Sequence, residues 1–381
     1  MQRYQDVKFA VIGAGNGGCA MAAHLALKGF DVTLYNRSEK RLEPIRARGG
    51  ILLEGVHDSG FATIKQVTND VEEAIRDADV IMVTVPATGH RDVARAIAPF
   101  LHEDQIVVLN PGRTGGALEF RNILRQSGLK KEITIAEAQT FIYACRVIKP
   151  AHVKIFSVKN EVAVAALPAY RTPKVVEILS KAYPEFKSAS NVLETSFNNI
   201  GAIFHPTPTL LNTGRIETTK GDFDYYIEGI SPTVADILEK LDNERLKVAS
   251  ALGVKAQSAL EWLYETYGAE GKNLFEALQN NKAYKGIKAP DSVNTRYIFE
   301  DVPESLVPIS LIGKMLNVDT PILDSIINLA CAAHNINYWE TGRTIERLGL
   351  EGLTREQIFA LVMEGEESLI NVEKEMEGVV A

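Results

Sequence analysis

The chain has 381 residues, 41 lysines and arginines against 49 aspartates and glutamates for a net charge of −8, and 46% hydrophobic residues. At about 100–200 residues per domain this is a two-domain globular composition that excludes wholesale disorder. The acidic balance excludes nucleic acid or an anionic membrane as the main partner, because either needs a clustered basic face.

MQRYQDVKF at the start offers no signal-peptide core, and no apolar run approaches the roughly 18 residues of a spanning helix. Cys19, Cys145 and Cys331 form no CxxC pair, so neither a disulfide framework nor a metal site is expected, and a reducing cytoplasm is the expected location. In chain order, KFAVIGAG is a short apolar run ending in glycines, residues 17–29 form a small-residue helix, and DVTLYNR is a second strand. Residues 70–78 and 90–101 are expected helices, alternating with the apolar strands DVIMVTVPA and QIVVLNPG, and ITIAEA follows. Near-continuous Val/Ile/Leu runs spaced by helices imply right-handed βαβ units and buried parallel strands. HVKIFSV and EVAVAALP are expected to extend the same sheet. From Asn191 the β-rich runs stop, and helices are expected over 191–204, 231–252, 256–267, 271–280, 304–315, 320–336 and 354–376. The boundary falls at 188, in KSASN. The expected fold is an α/β Rossmann domain over 1–188, with a doubly wound, mainly parallel sheet, followed by an all-helical substrate-binding domain over 189–381.

Gly13-Ala14-Gly15-Asn16-Gly17-Gly18 fits G-x-G-x-x-G between a strand and a helix. Gly13 permits the tight turn, Gly15 lets backbone approach a pyrophosphate, and Gly18 lets helix and strand pack closely. Asn16 and Gly17 complete the phosphate-facing loop at a helix N-terminus. The second strand ends in Asn36-Arg37-Ser38, without the acidic residue that holds the ribose 2′-OH of NAD. An amide, a guanidinium and a hydroxyl suit a 2′-phosphate, so NADPH is the expected cofactor and NAD the alternative. In that alternative Arg37 is a solvated surface charge and Glu39 serves the ribose. Pro86 and Ala87, and the glycine-rich stretch from Asn110 to Gly116, lie at later strand ends where a cofactor binds; the second stretch also reads as an ordinary loop.

Of seven histidines, His24, His57, His90, His102, His152 and His334 have no obvious partner. His205 ends the helix 195-TSFNNIGAIF and precedes Pro206, which disfavours helical geometry before it. A helix C-terminus favours the imidazolium, as a general acid requires; the alternative is a histidine capping the last carbonyls. Asn198 lies seven residues earlier, on nearly the same helix face. The polar stretch 294-NTRYIFEDVPESLVP offers Arg296 as a bidentate clamp for a substrate carboxylate and Asp301 as a carboxylate able to orient His205. An Arg–Asp surface pair at a helix start is the other reading, and spacing alone does not join residues 205 and 301.

GAGNGG at 13–18, NPGRTGGALEF at 110–120, HPTPTLLN at 205–212, YYIEGISP at 225–232, NTRYIFEDVPESLVP at 294–308 and LGLEGLT at 348–354 together resemble the opine dehydrogenase family of octopine/nopaline type, most of all its bacterial N-(1-carboxyethyl)norvaline dehydrogenase branch. The resemblance implies reductive condensation of an amino acid or other amine with an α-keto acid such as pyruvate, by hydride transfer to an imine in a cleft between the two domains. It implies His205 as catalytic, Asp301 as its partner, Arg296 as the carboxylate-recognising arginine, and Asn199 at the asparagine of the motif, so that Asn198 and Asn199 both stand as candidates. The amino-acid pocket is expected around Tyr225, Tyr226, Glu228 and the 255–300 region. Small-molecule substrates, a hydrophobic amino acid among them, and a homodimer follow from the same resemblance. Asn36-Arg37 departs from it, since close relatives carry an acidic residue there and use NADH. Other readings are a keto-acid or imine reductase of the ketopantoate or 6-phosphogluconate type, and a dinucleotide-sensing protein without turnover. The first looks for a lysine early in the helical domain, and none occurs between Ser188 and Thr219.

Overall fold

The computed structural model describes residues 7–56 and 58–369; His57 and the end of the helix expected to reach residue 376 lie outside them. The chain divides into two compact units. The first holds the residues up to Gly112, Gly116–Thr195 and the residues from Glu356 onward; the second holds Arg113–Gly115 and Ser196–Arg355. Compared with a division at 188, residues 189–195 and the segment from Glu356 pack with the first unit, and three residues of the 110–116 loop pack with the second.

The strands of the first unit are β1 (Lys8–Ile12), β2 (Asp31–Tyr35), β3 (Gly50–Glu54), β4 (Gly60–Thr63), β5 (Gln66–Thr68), β6 (Val80–Val83), β7 (Ile106–Leu109), β8 (Thr134–Ala138), β9 (Tyr143–Lys149), β10 (His152–Val158), β11 (Val162–Leu167) and β12 (Phe186–Ser188). One sheet runs β12-β11-β8-β7-β6-β1-β2-β5, parallel except where β11 meets β8. β6 and β7 are buried at every position, as strands covered on both faces must be. The chain winds outward from β1 through β2 to β5, then returns to build β6, β7 and β8 on the other side. The switch point therefore lies at the carboxyl ends of β1 and β6, where open α/β sheets bind ligands.

HVKIFSV does not extend this sheet. It is β10 of a second sheet, β4-β3-β10-β9. Val153 and Ile155 are buried whereas Phe156 is half exposed, the alternation of a strand with one face covered. The helix Asn16–Leu27 packs on this sheet, and its buried His24 is held by the Tyr143 hydroxyl at 2.6 Å and by Asp58 at 2.9 Å. His152 likewise pairs with Glu54, and His334 with Tyr338, so these three histidines have partners that sequence spacing did not reveal.

The second unit is helical around Pro232–Ala251, which is capped by the Ser231 side chain on the Val234 N–H. Its Arg245 is fully buried and is bound by Asp242, by the Gln257 carbonyl at 2.6 Å and by the Phe197 carbonyl. The Asn198 side chain accepts the Gln257 N–H at 2.8 Å. Arg245 takes the Phe197 carbonyl, a group that a continuous helix would use internally, and the helix expected over 191–204 breaks into Val192–Phe197 and Gly201–Phe204. The helix expected from 304 begins instead as a π-helical turn, Val302–Leu306, before Val307–Met315. Such turns often mark functional sites.

Candidate functional site

Gly13 has φ +114°, and a Cβ there would lie 2.9 Å from the Val85 side chain. A Cβ on Gly18 would lie 1.6 Å from the Gly13 carbonyl oxygen, inside any allowed contact. Gly18→Ala is therefore expected to separate helix from strand and lower the urea midpoint of unfolding, with dinucleotide binding lost; an unchanged midpoint would contradict this packing. Gly15 sits at the N-cap of Asn16–Leu27, whose first turn carries no acidic residue to repel a phosphate. The Asn16 side chain is turned to β9, where it accepts the Val147 N–H at 2.9 Å, so Asn16 anchors the loop rather than facing a phosphate through its side chain.

A cavity of about 570 Å³ adjoins this loop, lined by Gly13, Asn36, Arg37, Ser38, Arg41 and Pro86 among others. Ala87 is buried in the short turn after Pro86. Asn36 accepts the Ala14 N–H and donates to the Ser38 carbonyl, both at 3.0 Å, so it shapes the glycine loop. Arg37 is 85% exposed, 3.5 Å from Asp92. Glu39 is paired with Arg46. Arg41, unanticipated from the sequence, approaches Gly15 to 3.5 Å from its would-be Cβ. The glycine loop and its helix end suit a pyrophosphate, and the two guanidiniums suit a further phosphate; the residues present fit a nicotinamide dinucleotide.

In the second unit His205 sits at the junction of Gly201–Phe204 and Pro206–Leu211, capping the first and opening the second. Its carbonyl accepts from the hydroxyls of Tyr225 and Thr209, both at 2.7 Å, and its ring stacks on Tyr297 with centroids 4.2 Å apart and planes at 11°. Nδ1 is 2.8 Å from Asp301 Oδ2. Nε2 has no partner among the described residues. The tautomer that donates through Nδ1 leaves Nε2 to exchange a proton with a ligand. Asp301 is 1% exposed, and its Oδ1 lies 2.9 Å from Arg113 Nη1. Arg113 also reaches the buried Glu300 at 3.5 Å and donates to Asn199 Oδ1 at 3.3 Å, while Asn199 donates to Ser305 Oγ at 2.8 Å. Burial works against the charge on Arg113, but Asp301 and Glu300 outweigh it and raise its pKa further.

Arg296 is 57% exposed and binds Glu300 through Nε and Nη2 at 2.7 and 2.6 Å, leaving Nη1 without a partner among the described residues. Asn199 thus joins the Asp301 cluster through Arg113, whereas Asn198 is turned to Gln257. Tyr226 is buried, stacked on Tyr284 at 4.2 Å and edge-on to Tyr225. Burial pushes its hydroxyl, and that of Tyr297, above the usual range, so both remain neutral donors. Arg113 is the residue that motif reading passed over. An arginine within a glycine-rich loop at a strand's carboxyl end was the available signal. Among the described residues no group of three or more His, Cys, Asp or Glu could hold a metal ion, and no helix is long and apolar enough to cross a membrane.

Two family models match, "NAD/NADP octopine/nopaline dehydrogenase, alpha-helical domain" over residues 188–334 and "Ketopantoate reductase PanE/ApbA" over residues 9–113. The chain is 43% identical over 346 residues to an opine dehydrogenase of Arthrobacter sp. (strain 1C), covering 91% of this chain and 96% of that one. The chain belongs to the opine dehydrogenase family. It is 26% identical to a vitopine synthase of Allorhizobium ampelinum, with 91% and 96% covered. Among solved structures, octopine dehydrogenase with NADH and L-arginine shares the fold at a TM-score of 0.79 and 24% identity, covering 93% and 98%. Yersinopine dehydrogenase with bound NADP⁺ does so at 0.71 and 17%, covering 96% and 99%. As an opine dehydrogenase this chain is an NAD(P)-dependent oxidoreductase acting on the CH–NH group of donors, joining an amine to a keto acid.

Proposed function

We propose that the chain reduces the imine of an α-keto acid such as pyruvate with a hydrophobic amino acid, or another amine, and that NADPH is its preferred reductant. The observation that carries this reading is the His205–Asp301–Arg113 constellation, with Nε2 of His205 left for a ligand. The bound cofactor supplies a hydride to the imine carbon. The protein's residues manage protons and orientation. Attack of the amine on the ketone gives a carbinolamine, and loss of its hydroxyl as water requires a proton, which His205 Nε2 donates. Asp301 holds the ring through Nδ1, and Tyr297 fixes its plane. Arg296 offers its Nη1 edge to a substrate carboxylate, fixing which face of the imine is presented. Tyr226 packs with Tyr225 and Tyr284 in an aromatic cluster beside Tyr297 and His205.

The NADPH preference is supported by Arg37 and Arg41 at one cavity and by the engagement of Glu39 with Arg46. Three free cysteines support a reducing cytoplasm, and the family resemblance supports a homodimer. The test is NADPH oxidation with pyruvate and a panel of amines. Oxidation is expected only when both substrates are present. Oxidation with pyruvate alone would instead make this a keto-acid reductase, the activity named by the family model over residues 9–113.

A further inference from the structure

We infer that Arg113 is a positioning residue that sets, through Asp301, how firmly His205 holds its catalytic proton. The inference rests on the reading of His205 as proton donor. Asp301 is shared: one oxygen lies 2.8 Å from His205 Nδ1 and the other 2.9 Å from Arg113 Nη1. Arg113 is permanently charged, whereas the imidazole titrates. A buried carboxylate facing the imidazole alone would bind the imidazolium tightly and make it a reluctant acid. With half of that carboxylate taken by a guanidinium, the proton is easier to release.

A direct effect acts in the same sense. A Cβ on Gly201 would lie 2.7 Å from Arg113 Nη1 and 3.2 Å from His205 Nδ1 and Cε1, so cation and ring both close on this glycine. Arg113 is held there at φ 61°, a left-handed conformation that side chains rarely adopt. Its loop is fixed by the Thr114 N–H on the Glu304 carbonyl, the buried Arg343 on the Thr114 carbonyl, and the Gly115 N–H on Ser196 Oγ. Strain maintained by such a scaffold fits a residue kept for its charge and position.

The remaining ionisable groups near His205 do not replace Arg113. Glu300 bridges Arg113 and the exposed Arg296, while Tyr297, Tyr225 and Tyr226 remain neutral. On the helices and turns packed against this segment, Asp242 pairs with Arg245 and Glu304 with Arg343, and Glu244 accepts the Ile322 and Leu323 N–H groups. At the exposed ends Arg215 pairs with Glu228 and Asp324 with Lys314, and His334 is bonded to Tyr338.

The test compares pH profiles of kcat in both directions for wild type, Arg113→Gln and Arg113→Lys, with a parallel ring-NMR titration of His205 in the ligand-free proteins. Both replacements are unbranched at Cβ like arginine, so the left-handed backbone at position 113 costs each about the same. In the glutamine variant the limb that reports His205 is expected to move upward by about one pH unit. Opine formation then persists to higher pH, and opine oxidation needs higher pH to begin. Lysine should bring the limb back toward wild type. A limb that stays in place while kcat falls overturns the inference and leaves Arg113 as a structural ion-pair partner. If the limb survives in His205→Ala, it is the reading of His205 as donor that fails. Should the glutamine variant not fold, Glu300→Gln, which leaves Asp301 as the one carboxylate paired with Arg113 among the described residues, is expected to move the limb downward, and no movement there also overturns the inference.

Discussion

Replacing His205 with alanine is expected to lower kcat for opine formation by about 10²- to 10⁴-fold, the usual worth of a positioned acid–base group. NADPH affinity should be retained, because the cavity that suits the dinucleotide is lined by Gly13, Asn36, Arg37 and Arg41 of the other unit. The loss should fall on kcat rather than KM, since the proton moves only as the carbinolamine breaks down. Supplying a preformed imine would bypass that step and recover part of the rate. Asp301→Asn should show a comparable defect, because the amide oxygen must stay on the Arg113 guanidinium, so the NH2 faces Nδ1, fixes the other tautomer and cannot stabilise the imidazolium. Stopped-flow measurement of cofactor oxidation and a fluorescence titration of NADPH read the two quantities separately. Unchanged turnover in the alanine variant would remove His205 from the mechanism.

The second large effect concerns cofactor choice. Arg41→Ala is expected to lower kcat/KM for NADPH by about 10- to 100-fold and to leave NADH nearly unaffected, since a hydrogen bond to a charged partner is worth about 1.5–3 kcal/mol. Arg37→Ala should fall at the low end of that range. Its side chain is 85% exposed and already faces Asp92, so water and salt weaken its grip. Raising ionic strength should therefore erode the NADPH preference of the Arg41→Ala protein more than that of the wild type. A wild-type enzyme that already prefers NADH would overturn the 2′-phosphate reading.

How far these features could be read from sequence depended on whether they were local. KFAVI, VIMV and IVVL announce buried parallel strands because every side chain is covered. The glycines at 13, 15 and 18 each act within their own turn or on the adjoining strand, so their spacing sufficed. HVKIFSV reads as a strand but not as a member of the second sheet, because strand character does not say which neighbour a strand will pair with. The break after Phe197 has no local signal, because the side chain that takes the Phe197 carbonyl is Arg245, 48 residues along the chain. His205 and Asp301 meet across 96 residues, a distance no spacing rule bridges, and it was the family motifs that paired them. Arg113 looked like loop residue among glycines, and its importance appears only when two carboxylates from residues 300 and 301 close on it.

The return of the chain to its first unit has a consequence for how the protein is made. Arg121 and Arg125 both pair with Glu366, and the Asn191 amide lies 3.7 Å from the Met363 sulfur, so the unit that begins with β1 is completed by residues near the far end. Synthesis proceeds from the N-terminus at about 5–20 residues per second, and domains generally fold as they emerge. Here the whole of the helical unit must be synthesised before the last contacts of the Rossmann unit can form. The helical unit is an insertion into its neighbour rather than its successor, and a fragment cut at the apparent boundary would carry the glycine loop without the segment that closes its own fold.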